Sequence, residues 1–333
     1  MFRQILVPLD GSPRAEHAIP IAAQMAQAQH GSLVLLRVVT PAIEWWPASL
    51  ALPASAQIAT ASACEEANAY LDTLLALPWL QHCPVELLVV VGPVVSTLLD
   101  VACTHACDAI ILCTRDHESL SYQVSRSVTR EVLRHTALPV LILHEHGPHP
   151  HIVPGQARRP LHLFVAANER THACSVFQAT AFLARVLASG RAVVHLVGTV
   201  QSNATRESLE KEISSVQEHL RAIKDSMFDD SAGNHLPVTW SLDVGSDITD
   251  LLIRCAEHRE ASEKATTAGT PDTILLLMKD EAYGTTPWPM GDVIERVLVQ
   301  TNLPLLVIEA SEQRPRDVRT CEKTAVRGSV VQA

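Results

Sequence analysis

The 333-residue sequence has few aromatic residues, no long apolar run and no excess of basic residues. Phe, Trp and Tyr make up 4% of it, and no apolar stretch reaches the roughly 18 residues that a membrane-spanning helix needs. The formal charge is -10 without a basic stripe, so we expect no nucleic-acid partner, because phosphates repel an acidic surface. None of the eight cysteines forms a C-x-x-C pair, which is typical of reduced thiols.

The chain starts directly with the alternating stretch from Phe2 to Val7, which leaves no room for the charged and apolar regions of a signal peptide. Together with the composition, this start predicts a cytoplasmic protein without a membrane partner. Hydrophobic residues make up 47% and charged residues 19%, which is typical of a globular chain. The length suffices for two domains of ordinary size.

Five segments of the first half recur in the same order in the second half. An apolar run leads through a polar turn to an Ala-rich helical pattern in both halves, and a later strand ends at Gly92 or at Gly245. The matched segments are 5–26 with 163–184, 31–39 with 190–198, 85–102 with 238–256, 108–116 with 272–280, and 132–143 with 297–308. A repeat of this length indicates two copies of one domain.

Each half has five strand patterns that alternate with helical patterns, and the strands are near-continuous Val, Ile and Leu runs. Such runs are typical of parallel strands buried on both faces. We therefore predict an α/β fold of two tandem doubly wound parallel five-stranded sheets. The predicted domains are 1–146 and 161–310. The linker 147–160 belongs to a Pro-, Gly- and His-rich stretch that starts at 144, and a disordered tail follows at 311–333.

The segments ILVPLDGSPRAEHAI and VLRHTALPVLIL resemble the beginning and the end of a universal stress protein domain. With DAIILCTRD between them, the resemblance covers nearly all of residues 1–146 and extends more weakly over 160–310. It implies a Rossmann-like fold of the adenine nucleotide alpha hydrolase type, a role in stress response, and ATP or AMP as the ligand of nucleotide-binding members.

In those members, the Asp of the first loop contacts the ribose or base, and a glycine pattern cradles the phosphates. Glycines let backbone N–H groups approach phosphate oxygens at a helix N-terminus. Transferred to the first half, the resemblance implies a nucleotide site of Pro8, Asp10, Val38, Thr114, Arg126 and Ser127. Of the phosphate-binding pattern only the hydroxyl of Ser127 is kept, because Asp116, Ser119 and Arg126 replace the three glycines.

The second half has a different, weaker version of the same site. Asn168 stands where Asp10 stands, and Gly291 keeps the later glycine, while Asp292 replaces the hydroxyl residue. The two loops contain acidic residues that would repel phosphates: Asp116, Glu118, Asp280 and Glu281. Basic residues in the same loops partly offset this repulsion: Arg115, Arg126 and Lys279. The predicted second cleft is Asn168 and Gly291.

Two functional hypotheses remain open. The first is a stress-response protein that binds an unknown protein partner or a ligand without catalytic turnover, because no Ser-His-Asp, paired-carboxylate or metal-hydrolase motif has convincing spacing. The second is an adenine-nucleotide sensor with one cleft in the first domain. The final strands ALPVLIL and NLPLLVI predict pairing within one chain, as a pseudo-dimer, with a homodimer as the alternative.

Several other residues have both a chemical and a structural interpretation. Cys103, His105 and Cys107 favour the buried face of a helix over a metal site, since zinc needs four ligands in good geometry. The histidines of the linker region favour a solvated segment over chelation: His144, His146, His149 and His151.

Trp45 and Trp46 favour packing at the start of the long helix over a cover for the ligand cleft. Cys113 stands where the family has a glycine and suggests redox sensing, although strand-end cysteines are usually buried and inert. The sequence predicts no metal and no certain cofactor.

Overall fold

The fold is described from a computed structural model of the chain. It describes residues 2–41, 53–115, 127–150, 160–167, 173–188, 191–200, 206–228, 236–245, 247–263, 272–279 and 289–309. These residues divide into two compact units. Of the described chain, unit 1 contains residues 2–114 and 127–145, and unit 2 contains the later residues from 146 to 309.

Unit 1 alternates strands and helices in the predicted order. Its elements are β1 (Gln4–Leu9), α1 (Pro13–Glu16), α2 (Ala18–Gln27), β2 (Ser32–Val39), α3 (Ala54–Leu74), a 3-10 turn (Pro78–Leu80), β3 (Val85–Val91), α4 (Val94–Thr104), β4 (Ala109–Thr114), α5 (Val128–His135) and β5 (Val140–His144). The strands lie in the order β3-β2-β1-β4-β5, and the described pairings of β1 to β5 are parallel.

Unit 2 repeats this plan. Its elements are β6 (Leu161–Ala166), α6 (Ala173–Ala188), β7 (Ala192–Val200), α7 (Arg206–Phe228), β8 (Val238–Val244), α8 (Ile248–Glu263), β9 (Asp272–Lys279), α9 (Pro289–Gln300) and β10 (Leu305–Glu309). The parallel strand order is β8-β7-β6-β9-β10, which matches that of unit 1. The predicted Rossmann-like α/β class, with five parallel strands in each unit, is therefore confirmed.

The central strands are buried on both faces, as their apolar runs predict. All described residues of β5 are buried, and β6 and β9 are buried except at their last residues. The prediction is wrong for β8, an edge strand in which Thr239 and Ser241 are exposed. An edge strand lacks a neighbour on one side, so it tolerates polar side chains.

The first turn of unit 1 begins a helix in the way its residue types predict. Ser12 has an extended backbone and its hydroxyl accepts a hydrogen bond from the amide of Ala15 at 3.4 Å, while Pro13 occupies the first helical position. Gly11 has a φ of +80°, in the left-handed region that favours glycine. The turn therefore leads the chain from β1 directly into α1 at the carboxyl edge of the sheet.

The strand register corrects two matches between the two halves. Segment 108–116 is shifted by one residue against 272–280, since Ile5 pairs with Ala109 and its counterpart Leu163 with Ile274. The other correction concerns β2 and β7. The sequence paired segment 31–39 with 190–198, but Ile5 pairs with Leu33 and its counterpart Leu163 pairs with Val194. Residue 33 therefore corresponds to residue 194, two positions further than the sequence match. It follows that Arg37 corresponds to Gly198. The error arose because both strands are apolar runs in which a shift of two residues keeps every side chain on the same face.

His144 is also placed differently from its prediction. It ends β5 and is buried, with 2% of its surface exposed, whereas the sequence placed it in a solvated segment. The pairing of Thr114 with His144 extends β5 by one residue beyond the apolar run. His146 is exposed as predicted, and His151 lies outside the described residues. Within the described chain, no helix has the length and apolar character to cross a membrane.

Candidate functional site

Residues of the predicted nucleotide site lie at the carboxyl ends of three neighbouring strands of unit 1. Asp10 follows β1, whose last residue Leu9 pairs with the residue before Val38 in β2, and Thr114 ends β4, which pairs with β1. Pro8 lies in β1, two residues before Asp10. The strand order reverses between β1 and β4, which is where doubly wound sheets bind ligands. The structure thus brings together the predicted residues that belong to the first, second and fourth strands.

The carboxylate of Asp10 is held within its own turn. Its Oδ1 accepts hydrogen bonds from the amide of Ser12, at 3.0 Å, and from the Ser12 hydroxyl, while Oδ2 accepts one from the Arg14 guanidinium. Burial acts to raise the pKa of Asp10, but the Ser12 hydrogen bonds and the charges of Arg14 and Arg37 outweigh it and hold the pKa below its usual value. Asp10 is therefore a carboxylate whose oxygens are already engaged.

Arg37 is a candidate residue that sequence reasoning missed. Its Nη1 donates to the carbonyl of Leu9 at 3.4 Å. The guanidinium also lies over the turn, since a Cβ added at Gly11 would come 3.5 Å from Arg37 Nη2. The signal was present in the sequence as one charge in the otherwise apolar strand SLVLLRVV. A charged side chain near the carboxyl end of such a strand reaches the edge where ligands bind.

A second layer of polar groups connects this turn to α3. Tyr70 donates a hydrogen bond from its hydroxyl to Oε1 of Glu16 at 3.0 Å. Burial, followed by the bond to Glu16, raises the pKa of Tyr70 above its usual range, so the phenol stays neutral. The charges of Asp10 and Arg37 also act on Tyr70. We call Asp10, Arg14, Glu16, Arg37 and Tyr70 the Asp10 cluster.

The hydroxyl predicted to contact phosphate stands at the start of α5. Ser127 is the N-cap residue, with an extended backbone, and its side chain makes no capping hydrogen bond. Its carbonyl accepts a hydrogen bond from the amide of Glu131 at 3.1 Å. Arg126, the residue before it, lies outside the described residues, as do Asp116 and Ser119.

The corresponding edge of unit 2 has different side chains. Gly198 stands where unit 1 has Arg37, and Lys279 ends β9 where Thr114 ends β4. Gly291 lies inside α9, whereas its counterpart Arg126 precedes α5 by two positions. Helix formation begins earlier in unit 2, so this glycine belongs to a helical turn and not to the loop before it. Asn168 lies outside the described residues.

Unit 2 also contains a bidentate ion pair between two helices. Arg296 of α9 donates from Nη1 to Oδ2 of Asp247 at 2.8 Å and from Nη2 to Oδ1 at 2.9 Å. Oδ1 accepts a further bond from the amide of Thr249 at 2.8 Å, at the start of α8. Burial opposes ionisation of Asp247, but the hydrogen bonds from Arg296 and Thr249 hold its pKa below the usual value. We call this pair the α8–α9 clasp.

The region of Cys103, His105 and Cys107 also differs from its prediction. Cys103 is exposed at the end of α4, not part of its buried face, while Cys107 is buried, and burial raises its pKa to about 12. His105 Nδ1 lies 3.0 Å from Oε2 of Glu86. No group of three or more His, Cys, Asp or Glu side chains within the described residues is placed to hold a metal ion.

Two further residue groups with a chemical and a structural interpretation are Cys113 and the two tryptophans. Cys113 lies within β4 and is partly exposed, with its Sγ 3.8 Å from the carbonyl of Thr114. Trp45 and Trp46 lie outside the described residues, so their packing stays a prediction.

The similarity to known proteins agrees with this fold and this edge. Residues 1–144 match the model of the universal stress protein family. A universal stress protein from Archaeoglobus fulgidus DSM 4304 is similar in structure, with a TM-score of 0.62 at 13% identity over 93% of this chain and 100% of that one. A functionally unknown protein from Pseudomonas aeruginosa PAO1 has a TM-score of 0.54 at 14% identity over 92% of each chain.

The search among curated protein sequences found no match. The two structural similarities span both units and show the fold. The part of the chain that matches the universal stress protein family model, residues 1–144, contains β1 to β5 and the turn of Asp10.

Proposed function

We propose that the protein is a cytoplasmic universal stress protein that acts in the stress response by binding a partner or ligand, without catalytic turnover. The observation that carries this proposal is the family match over residues 1–144 combined with the carboxyl edge of unit 1. Charged side chains lie at that edge, which is the position where doubly wound sheets bind ligands. We propose that residues 1–146 and 161–310 are its two domains.

The state of Asp10 supports binding over catalysis. A general base works best when its pKa lies near the working pH, and the pKa of Asp10 is held below its usual value. Its oxygens accept from Ser12 and Arg14, so the carboxylate has its proton donors already in place. Such a group orients neighbouring cations and hydroxyls and is a weak base at neutral pH.

The second candidate function is an adenine-nucleotide sensor with its cleft in unit 1. The fold favours it, because Asp10, Val38 and Thr114 lie at the carboxyl ends of three neighbouring strands. Arg14 and Arg37 add two guanidinium groups beside that edge, and a guanidinium binds phosphate bidentately without any glycine. In this mode the two arginines would bind the phosphates in place of the three glycines, whose positions are occupied by Asp116, Ser119 and Arg126.

A nucleotide site in unit 2 has weaker support. Gly198 replaces the arginine of β2, and Gly291 lies in the first turns of α9. The proposed contacts of this second cleft, Asn168 and Gly291, therefore have no counterpart of Arg37 beside them, and Lys279 at the end of β9 is a basic group at this edge. We expect any adenine nucleotide to bind at unit 1 first.

Calorimetric titration with ATP and with AMP, with and without magnesium, separates the two candidates. Binding near one equivalent that is weakened by Asp10→Ala and by Ser127→Ala supports the sensor. Ser214→Ala is the matched control, since Ser214 is exposed on α7 and its hydroxyl bonds only within the helix, to the carbonyl of Glu210. If no heat of binding is detected at millimolar nucleotide, the sensor hypothesis is rejected, and binding of a protein partner remains as the proposed function.

Pairing of the two final strands within one chain stays a prediction. Its consequence is a chain that is monomeric in solution, because the edges of both final strands are then covered. Sedimentation velocity checks this consequence, and a concentration-dependent dimer would favour the homodimer instead.

A further inference from the structure

Unit 2 contains a pair of histidines that are buried within its sheet. His162 of β6 and His195 of β7 are 5% and 4% exposed. Nε2 of His195 lies 3.1 Å from Nδ1 of His162, and Nδ1 of His195 contacts the hydroxyl of Thr239 on β8. The ring of Phe164 stacks on His195 at a centroid distance of 4.6 Å. The four side chains form one connected row across three strands.

The geometry of this row limits the number of protons it can hold. A neutral histidine has one N–H donor and one acceptor nitrogen, and the protonated ring has two donors. Only one proton fits between Nε2 of His195 and Nδ1 of His162, because one nitrogen must donate and the other must accept. If both rings were protonated, two N–H groups and two positive charges would face each other inside the sheet. The contact would then have to open.

Charged groups lie at the outer side of the pair and at the start of β9, where the buried Asp272 precedes the register neighbour of His162. His195 lines a cavity of about 690 Å³ beside α8. The titratable and charged side chains that line the same cavity are Asp243 of β8 and Arg254, Cys255, Glu257 and His258 of α8. Arg254 and Asp243 lie 3.5 Å apart. On β9 the register neighbour of His162 is the buried Thr273.

This cavity has a consequence for proton exchange. Because His195 lines this cavity, we expect water to reach its ring when β8 or α8, which form the cavity walls with β6 and β7, moves locally.

The corresponding positions in unit 1 are occupied differently. By strand register, Gln4 stands for His162, Val34 for His195 and Glu86 for Thr239. Val34 is fully buried, so unit 1 has no ionisable ring at that position. Its nearby histidine, His105, is partly exposed, and its Nδ1 lies 3.0 Å from Oε2 of Glu86. At these positions unit 1 therefore has no counterpart of the buried histidine pair.

We propose that the His162–His195 pair makes unit 2 an acid-responsive module, in which protonation of both rings opens the contact between β6, β7 and β8. The regulatory ligand is the proton, and the site is the row of four side chains. This inference does not depend on nucleotide binding in unit 1. It adds a signal, intracellular acidification, to the proposed role in stress response.

The sign of the effect follows from proton counting. In an opened or unfolded chain, each histidine takes up a proton near pH 6.5. The closed pair binds at least one proton fewer than the open pair below that pH, so the closed form loses stability as the pH falls. For one excluded proton, the opening equilibrium rises about 30-fold between about pH 7.5 and about pH 5.0.

Hydrogen exchange of the full chain, corrected for the intrinsic pH dependence of exchange, measures this opening. We expect amides of β6, β7 and β8 to lose protection on acidification and those of β1, β2 and β3 to keep it. The double variant His162→Gln and His195→Val installs the unit 1 residues and removes the extra loss. His258→Gln is the matched control, because it removes an exposed histidine at the same cavity and leaves the effect in place.

A second measurement tests the wild-type protein directly, whether or not the double variant folds. Ring resonances of His162 and His195, assigned through the single variants, report how many protons the closed pair holds. At most one proton is expected while the amides of β6 to β8 stay protected. Two imidazolium rings in a fully protected sheet would overturn the proposal, as would equal acid sensitivity of the wild type and the double variant.

Discussion

At the carboxyl edge of its sheet, unit 1 carries Arg37 where unit 2 carries Gly198. Both units contain a carboxylate bonded to an arginine, but at different places. In unit 1 the pair is Asp10 with Arg14, within the turn that follows β1. In unit 2 it is Asp247 with Arg296, which joins α8 to α9.

Under the proposed function, this difference separates a binding role from a structural one. The ion pair of unit 1 lies where the strand order reverses, which is the position where doubly wound sheets bind ligands. The ion pair of unit 2 connects two helices. The counterpart of Arg37 in unit 2 is Gly198, which has no side chain. Two copies of one fold have thus placed similar chemistry at a ligand edge in one case and between helices in the other.

The largest effect we expect is from Gly31→Ala, which tests whether unit 1 can be weakened alone. A Cβ at Gly31 would lie 1.9 Å from the carbonyl oxygen of Arg3, which is backbone and has no rotamer to adopt. We expect a loss of about 3 kcal/mol in the free energy of unfolding, as for severe overpacking. Urea unfolding measures the loss, and hydrogen exchange locates it in β1 and β2.

The control for this change is Gly92→Ala. Its added Cβ would lie 2.4 Å from Oγ1 of Thr97, a side chain that can rotate, so the expected loss is smaller. Equal losses for the two variants would show that the backbone at Arg3 yields as easily as a threonine side chain.

An intermediate effect is expected from Asp247→Ala, which removes the α8–α9 clasp. The variant loses a bidentate ion pair and the hydrogen bond to the amide of Thr249, together about 1–2 kcal/mol of the free energy of unfolding. Asp247→Asn keeps an acceptor for Thr249 and should lose about half as much. Both side chains of the pair are about one-third exposed, which keeps the value modest.

The pH dependence of the clasp has a definite sign. Because the pKa of Asp247 is lowered from 3.8, the stability it provides is present above that pH and is lost as the pH falls through the lower, folded value. Urea unfolding at neutral and at acid pH measures this. Asp250→Asn is the control, since Asp250 lies 3.7 Å from Arg296 at the exposed margin. If Asp250→Asn lowers the free energy of unfolding as much as Asp247→Ala does, the α8–α9 clasp is not the source of this stability.

The sequence predicted the architecture well because the fold depends on patterns that repeat. Apolar runs at β1, β4, β5 and their counterparts identified buried parallel strands, and Gly92 and Gly245 marked the ends of β3 and β8. The register of β2 against β7 was wrong by two residues, since a run such as LVLLRVV matches AVVHLVG almost equally at several offsets. Only pairing with the neighbouring strand fixed it.

The site was predicted in part for a similar reason. Asp10, Val38 and Thr114 follow from chain positions at strand ends, and the sheet places these three strands side by side. Arg37 and the pair of His162 with His195 depend on contacts between strands that are distant in sequence. No local pattern contains such contacts, so they appeared only with the fold.

The smallest effects concern the pKa of Asp10 and test what the Arg37 position contributes to unit 1. Removing a group that stabilises the carboxylate raises its pKa, so Ser12→Ala, Arg14→Ala and Arg37→Ala should each do so, in decreasing order. Carboxyl-carbon NMR titration measures the value. Arg134→Ala is the control, because Arg134 lies in the last turn of α5, at the opposite end of the helix from the ligand edge. If Arg37→Ala leaves the pKa unchanged, the charge of Arg37 does not reach Asp10, and the contrast with Gly198 then concerns space at the edge and not its electrostatics.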